Sequence, residues 1–178
     1  RAGNVIGGGD WADDRLVPDA FKAWAEGKVL DVRSPNATRP WQHVLEPLSG
    51  YLHLAAALSN RPELHGEPFN FGPRTENIST VEEVIKRLAT NFDNAPYRIF
   101  PNKKENEFYE AGLLKLSCDK ALHVLNWQPT LVLDEAIEMT ANWYKAYHSG
   151  ASNIRNVTLA QIAQYCGHAS SRNISWAN

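Results

Sequence analysis

Apolar residues recur along the chain with two different spacings, which alternate from one segment to the next. Short apolar runs and period-two patterns predict strands, at residues 1–6, 29–33, 68–71, 97–100 and 113–116. Apolar residues three and four positions apart predict helices, at residues 18–26, 44–58, 119–125, 134–147 and 158–165. Alternating strands and helices are typical of the α/β class. Since no repeat or long linker interrupts the pattern, we expect one domain over residues 1–178.

Short polar signals mark where several helices begin and end. Pro18 suits the first turn of a helix, where its missing N–H is not needed, and Gly27 suits the position just after that helix ends. The stretch from Ser79 or Thr80 to Glu83 is a capping box, which predicts that another helix begins there. Residues 34–40 show no periodic pattern and are predicted to form a loop.

Two of the predicted helices carry an apolar face that we expect to be buried. In the 44–58 helix this face consists of Leu45, Leu48, Leu52, Ala55 and Ala56. In the 158–165 helix it consists of Leu159, Ile162 and Ala163. Residues 166–178 carry little pattern and are predicted to fray.

The composition narrows the class of protein without identifying it. Of the 178 residues, 43% are hydrophobic and 21% charged, with a formal net charge of −2, as in ordinary globular proteins. No block of like charges indicates a nucleic-acid or membrane partner, and no apolar run approaches the length of a membrane span. Cys118 and Cys166 fit no disulfide framework, and the histidines show no zinc spacing. The composition therefore predicts reduced thiols and no metal site.

The stretch from Gly7 to Ala12 reads G-x-G-x-x-A, the pattern of a dinucleotide-binding loop. Such a loop must present backbone N–H groups to a pyrophosphate at the start of a helix. Here Asp10, Asp13 and Asp14 would repel phosphates, and the next helix is marked by Pro18, six residues after Ala12. We therefore interpret the glycines as a sharp turn, while the start of a Rossmann dehydrogenase stays a minor alternative.

Four further motifs point to a known family, and they occur in that family's order. They are RAGNVIG from Arg1, RPWQHV from Arg39, FNFG from Phe69 and NWQP from Asn126. Together they resemble the extended short-chain dehydrogenases/reductases that act on nucleotide sugars. Within that family, the residues of these motifs are most similar to those of the CDP-glucose 4,6-dehydratase branch. The resemblance covers residues 1 to about 165. The alternatives are another epimerase or dehydratase of the superfamily, or a catalytically silent module that binds sugar nucleotides.

The resemblance implies that this chain is the C-terminal, substrate-binding portion of an α/β enzyme. The family's NAD-binding glycine loop, Tyr-x-x-x-Lys pair and catalytic acids belong to an N-terminal half that this chain does not contain. The implied cofactor is NAD, and the implied substrate is CDP-glucose or a related nucleotide sugar. The resemblance also implies a cytoplasmic homo-oligomer, formed through the N-terminal half and serving deoxysugar synthesis for the lipopolysaccharide O-antigen.

The same resemblance implies roles for residues around the diphosphate and the cofactor. Arg39 would clamp the diphosphate, and Asn70 would orient that arginine. Asn4 would donate to the diphosphate or the sugar, although a turn asparagine is the alternative. Val5 would lie beside the nicotinamide through its backbone, although its residue type alone indicates the core.

Other residues are implied around the nucleoside. Arg15, Leu16 and Val17 would line the nucleotide, and Asp31, Val32 and Arg33 would lie near the cytosine. Glu110 stands where other family members place an arginine. Because a carboxylate and a phosphate repel each other, Glu110 would instead meet a ribose hydroxyl or the cytosine amino group. A surface acid is the alternative interpretation of Glu110.

Overall fold

A computed structural model describes residues 1–74, 78–100 and 116–177. Its strands are β1 (Asn4–Ile6), β2 (Leu30–Val32), β3 (Thr38–Arg39), β4 (Trp41–His43), β5 (Ser79–Thr80) and β6 (Tyr97–Ile99). Its α-helices are α1 (Leu16–Ala25), α2 (Leu45–Leu58), α3 (Val81–Asn91), α4 (Asp119–Leu125), α5 (Leu133–His148) and α6 (Ile154–Ser171). Short 3₁₀ turns lie at Pro62–Leu64 and Ser175–Ala177. No described helix is long and apolar enough to cross a membrane.

The strands pair two by two within the described residues. β1 lies parallel to β4, and β2 lies parallel to β6. β3 and β5 form an antiparallel pair. The chain before β1 also pairs with the segment around Phe71, since Ala2 and Phe71 form a parallel bridge and the Phe71 N–H donates to the Arg1 carbonyl.

Aromatic rings fill the larger core, which lies between α1, α3 and α5 and which we call the first core. Phe21 of α1 stacks on Tyr144 of α5 with ring centroids 4.1 Å apart, and both rings are completely buried. A second core joins α2 and α4, where Phe71 meets Trp127 edge-on at 5.0 Å. Burying several aromatic rings supplies much of the apolar contact in a domain of this size.

The structure confirms the main local signals in the sequence. Thr80 caps α3, because its hydroxyl accepts from the Glu83 N–H while the Glu83 carboxylate accepts from the Thr80 N–H. Gly27 follows α1 with a φ of +68°. The first helix begins at Leu16, two residues before Pro18, so the proline lies inside the first turn.

Two expectations about irregular segments are wrong. The predicted loop at residues 34–40 contains β3, because Thr38 and Arg39 pair with β5, which is distant in sequence. The described part of the predicted frayed segment is ordered, since α6 continues to Ser171 and a 3₁₀ turn follows at Ser175–Ala177. The predicted strand at residues 113–116 lies almost wholly outside the described residues.

Most of the face predicted for burial on α2 is exposed, although Leu45 is half-buried. Leu48 is 45% exposed and Leu52 73% exposed, and Ala55 and Ala56 are exposed as well. The side of α2 that contacts the rest of the chain carries Glu46, Pro47 and Gly50. On α6, Leu159 and Ile162 are likewise exposed. The spacing of apolar residues therefore predicted correctly that α2 and α6 are helices, but it predicted the wrong buried face for them.

Candidate functional site

An indole ring packs against the glycine-rich loop after β1, at the place where a dinucleotide-binding loop would contact a phosphate. A Cβ atom on Gly8 would lie 2.0 Å from Cγ of Trp143 on α5, so only glycine leaves room for that ring. Gly9 has a φ of +82°, which suits the sharp turn expected from the sequence. Trp143 therefore occupies the space over the glycines where a dinucleotide pyrophosphate would have to approach.

Aromatic contacts hold the rest of this loop against α5. The Trp11 ring lies 4.8 Å from that of Tyr147 and 5.4 Å from that of Tyr144. The Tyr144 hydroxyl donates to the Asp10 carbonyl at 2.6 Å. Burial raises the pKa of Tyr144 to about 12, so this hydroxyl keeps its proton at neutral pH.

The residues predicted to line the nucleotide differ in what they expose. Arg15 is exposed at the N-terminus of α1 and forms an ion pair with Asp10 at 3.2 Å. Leu16 is half-buried. The Val17 side chain is 3% exposed and belongs to the first core, so only its backbone could contact a ligand.

The β1–β4 pair brings three predicted residues into one region. Asn4 lies opposite Trp41 and Val5 lies opposite Gln42 in the parallel register. Arg39 precedes Trp41 by two residues, and the Trp41 indole N–H donates to the Ser79 carbonyl on β5. Arg39 itself is 8% exposed, and its Nη1 donates to the Thr38 carbonyl. Burying a guanidinium costs desolvation free energy. The burial of Arg39 therefore indicates that the fold holds this side chain in a defined position, and that it is not a mobile surface charge.

Asn70 lies on the segment beside β1 and joins it to a distant part of the chain. Its amide nitrogen donates to the Ser117 carbonyl at 3.0 Å. One residue on, the Gln42 amide donates to the Phe71 carbonyl at 2.9 Å, which ties β4 to the same segment. The orienting role implied for Asn70 stays a prediction.

Asp31 and its neighbours form a second region, on the β2–β6 pair. Asp31 and Arg33 are exposed, while Val32 between them is buried. Asp31 accepts from Arg98 of β6, at 3.1 Å from Nε and 2.9 Å from Nη2. The sequence analysis did not identify Arg98 as a candidate site residue. The one signal for it in the sequence is its position two residues before Phe100, which places both side chains on the same side of an exposed strand. Glu110 lies outside the described residues.

Two titratable groups are buried close to β4. His43 is 2% exposed, and desolvation lowers its pKa to about 4. Its Nδ1 accepts from the Leu45 N–H, while its Nε2 has no hydrogen-bond partner among the described residues. The Glu46 carboxylate is also buried, and burial raises its pKa despite donors from Thr130, Leu131 and Tyr165.

Neither cysteine is paired, and no metal centre is formed by the described part of the chain. Cys118 and Cys166 are free thiols. No group of three or more His, Cys, Asp or Glu side chains among the described residues is placed to hold a metal ion.

The fold is that of the C-terminal part of an extended short-chain dehydrogenase/reductase, an enzyme class built on a Rossmann NAD-binding fold. In sequence, the chain is 44% identical over 151 residues to the CDP-glucose 4,6-dehydratase of Salmonella typhimurium (strain LT2), a match that covers 84% of this chain and 41% of that protein. It is 24% identical over 155 residues to the UDP-glucose 4-epimerase of Mycoplasma pneumoniae, covering 45% of that protein. The chain therefore spans less than half the length of these relatives.

Solved structures agree on the fold. The UDP-glucuronic acid 4-epimerase of Bacillus cereus, in complex with UDP-glucuronic acid and NAD, matches with a TM-score of 0.66 at 19% identity, over 83% of this chain and 44% of that one. The dTDP-glucose 4,6-dehydratase of Bacillus anthracis, in complex with NAD, matches with a TM-score of 0.61 at 18% identity, over 86% and 46%. No family model matches the chain. The resemblance stated from the sequence motifs is confirmed.

Proposed function

We propose that this chain is the nucleotide-sugar-binding part of an NAD-dependent CDP-glucose 4,6-dehydratase. The observation that carries the proposal is the 44% identity over 151 residues to the Salmonella enzyme of that name. The overall reaction converts CDP-glucose into CDP-4-keto-6-deoxyglucose and water. NAD, when bound to the complete enzyme, would supply the hydride-transfer chemistry of this overall reaction, in which C4 is oxidised, water is eliminated across C5–C6 and C6 is reduced.

The part assigned to this chain is to hold the sugar nucleotide still. One cofactor must reach C4 and then C6, so the sugar has to stay fixed between the two hydride transfers. We assign the diphosphate to Arg39 by the family resemblance, because the planar guanidinium of arginine is the side-chain group that best matches phosphate oxygens. Asn4 lies on the strand opposite Trp41, two residues from Arg39 in register, and we assign it to the diphosphate or the sugar.

The residues present do not form a dinucleotide-binding loop. Trp143 fills the space over Gly8, and Asp10 and Asp13 add negative charge beside it. Of the described residues, only the backbone of Val5 is assigned to the nicotinamide, by the family resemblance. We therefore expect the isolated chain to bind pyrimidine nucleotides and not NAD.

A 4-epimerase is the second candidate function. The Mycoplasma UDP-glucose 4-epimerase is similar over nearly the same share of this chain, although at 24% identity. The two candidates differ in the base of the substrate, cytosine against uracil, so nucleotide preference separates them. A cytoplasmic location, assembly through the part outside this chain and a role in O-antigen synthesis also belong to this proposal.

The binding part of the proposal is tested by thermal shift and titration calorimetry with the 178-residue chain. CDP and CDP-glucose are expected to raise the melting temperature, and to raise it further with the logarithm of ligand concentration above the Kd, since a ligand that binds only the folded state stabilises it. Arg39→Lys is expected to weaken this binding about tenfold, because lysine cannot donate bidentately. Arg74→Lys, at an exposed arginine, is the matched control. Stabilisation by NAD with no response to any pyrimidine diphosphate would overturn the proposal.

The catalytic part needs the rest of the enzyme. A chimera in which this chain replaces the matching part of the Salmonella dehydratase is expected to convert CDP-glucose to the 4-keto-6-deoxy product. The same chimera carrying Arg39→Ala should bind substrate poorly and show a raised KM. If the folded chimera turned over UDP-glucose to UDP-galactose instead, the 4-epimerase would be the correct function.

A further inference from the structure

Trp41 lies between the two residues that we assign to the diphosphate and the sugar. Its backbone belongs to β4 and stands opposite Asn4 of β1 in the parallel register. Arg39 precedes Trp41 by two residues and belongs to β3, where it stands opposite Ser79 of β5. Asn4 and Arg39 are therefore held by two different strand pairs. Trp41 is part of one pair and lies two residues from the other.

The Trp41 side chain connects these two strand pairs. Its indole N–H donates to the Ser79 carbonyl at 3.2 Å, and Ser79 is the residue that faces Arg39 across the β3–β5 pair. The Trp41 side chain is buried, with 6% of the residue exposed. A buried hydrogen bond of this kind resists breaking, because its donor and acceptor would both stay unpaired. The bond therefore fixes the β3–β5 pair relative to β4.

Pro40 strengthens the same connection. A Cβ atom on Gly3 would lie 2.8 Å from Cγ of Pro40 and 2.9 Å from its carbonyl oxygen, so the chain just before Asn4 touches the chain just after Arg39. Together with the indole hydrogen bond, this contact leaves the Arg39 backbone few positions relative to Asn4. A site that is already ordered binds more tightly, since the ligand does not have to remove that freedom itself.

We propose that Trp41 is a positioning residue for diphosphate binding and that it acts through Arg39. This rests on the proposed function, which assigns Arg39 and Asn4 to the sugar nucleotide. The indole N–H holds the β3–β5 pair where the Arg39 guanidinium and the Asn4 amide can reach the same ligand. The N–H itself is used by the Ser79 carbonyl, so Trp41 supplies no donor to the ligand.

Trp41→Phe keeps an aromatic ring in the core and removes the N–H donor. Without the hydrogen bond, the Arg39 segment is expected to occupy several positions, and the apparent affinity falls with the fraction that is competent to bind. We expect CDP to bind about fivefold more weakly, the population shift that the loss of one hydrogen bond permits. Titration calorimetry with CDP measures the change, and circular dichroism melts establish that the variant is folded.

The matched control removes the same kind of hydrogen bond elsewhere. Trp127 is 1% exposed, and its indole N–H donates to the Ser49 hydroxyl in the second core. Trp127→Phe is therefore expected to lower the melting temperature, as Trp41→Phe does, and to leave the affinity for CDP unchanged.

A double variant shows whether Trp41 acts through Arg39. Arg39→Lys alone is expected to weaken CDP binding about tenfold, since the bidentate contact is lost. In that background, Trp41→Phe should weaken binding by less than about twofold more, because the contact that Trp41 positions is already gone. A purely structural role for Trp41 would give losses that multiply.

A measurement on the wild-type chain needs no substitution. If the Trp41 hydrogen bond favours CDP binding, then bound CDP must stabilise that hydrogen bond to the same degree. Saturating CDP should therefore slow hydrogen exchange of the Trp41 indole N–H, measured by NMR, about fivefold more than that of Trp127. The Trp127 indole corrects for the general stabilisation that any ligand gives.

The outcomes separate the two proposals. A loss of CDP affinity in Trp41→Phe that is absent in Trp127→Phe, and that largely disappears in the Arg39→Lys background, supports the assignment. Unchanged CDP affinity in folded Trp41→Phe, losses that multiply with those of Arg39→Lys, or equal slowing of exchange at the two indoles would overturn this inference and leave the proposed function standing. If the folded wild-type chain bound no pyrimidine diphosphate, the proposed function would fail and this inference with it.

Discussion

At the scale of single residues, the three consecutive glycines show that one short motif can have two structural causes. A dinucleotide loop needs glycine so that a phosphate can approach the backbone. Here the Trp143 indole makes the approach, and Gly8 has no room for a Cβ atom. The motif alone cannot distinguish the two cases, because the approaching group comes from α5, which is remote in sequence. The charges of Asp10 and Asp13 were the local signal that did distinguish them.

The close approach of Trp143 predicts that Gly8→Ala destabilises the fold. The added methyl group would lie 2.0 Å from Cγ of the ring, so the loop or α5 must move. Overpacking of this kind typically costs about 1–3 kcal/mol of unfolding free energy. Urea unfolding followed by tryptophan fluorescence measures the change. Gly167→Ala on α6 is the control, since a Cβ there meets nothing within 4 Å, and an equal loss in both variants would contradict the explanation.

Burial of His43 predicts a pH dependence of stability. The folded-state pKa is about 4, below the ordinary value of 6.5, so the unfolded chain binds a proton first as the pH falls. The free energy of unfolding should therefore decrease between about pH 7 and pH 4, by up to about 3 kcal/mol from this group. Glu46 acts in the opposite direction, because its pKa is raised and its neutral form is favoured in the folded state.

A substitution isolates the histidine contribution from that of Glu46. His43→Gln removes the titration, so the difference in unfolding free energy between wild type and variant should change with pH between 7 and 4. Chemical denaturation at a series of pH values measures this difference. Parallel curves for the two proteins would show that His43 does not titrate as its burial requires.

At the scale of elements, the sequence predicted best where an element is defined by its own residues. The capping box at Thr80 and the helix end at Gly27 are local, and both were found. β3 was missed because two residues become a strand only by pairing with β5, about 40 positions later. The candidate site follows the same division. The family resemblance indicated Asp31, while its ion-pair partner Arg98 is brought opposite it only by the β2–β6 register.

The length of the C-terminal helix α6 was underestimated, because polar contacts hold this helix in place. On α6, Gln161 donates to the Met139 carbonyl, and the Tyr165 hydroxyl contacts Glu46 and Ser49. Beyond the helix, Arg172 forms an ion pair with Glu135 of α5. Apolar periodicity cannot reveal such contacts, since each depends on a partner elsewhere in the chain.

The Tyr165 hydroxyl is expected to anchor α6. It donates to Oε2 of Glu46 at 2.9 Å and lies 3.0 Å from the Ser49 hydroxyl, in buried surroundings. Tyr165→Phe leaves the carboxylate without this donor and should cost about 1–3 kcal/mol. Hydrogen exchange should show the loss of protection concentrated in α6. Tyr147→Phe, at a 47% exposed ring, is the matched control. Unchanged exchange in α6 would mean that other contacts hold the helix.

At the scale of the whole molecule, the chain exposes more apolar surface on α2 than the spacing of its residues predicted. Leu48, Tyr51 and Leu52 are each at least 42% exposed and lie on neighbouring turns. The same chain matches 41% of the length of its Salmonella relative. Contiguous exposed apolar surface promotes association, so we expect the isolated chain to associate more strongly as its concentration rises.

A single charge on this face should reduce that association without unfolding the chain. Leu52 is 73% exposed, so Leu52→Glu should change the free energy of unfolding by no more than about 0.5 kcal/mol. Sedimentation velocity over a concentration series should show a smaller weight-average mass for the variant than for wild type. Leu122→Glu, at a 42% exposed leucine on α4, adds the same charge away from the α2 face. If both variants reduced association equally, the cause would be net charge and not the α2 face, because only the location of the glutamate differs between them.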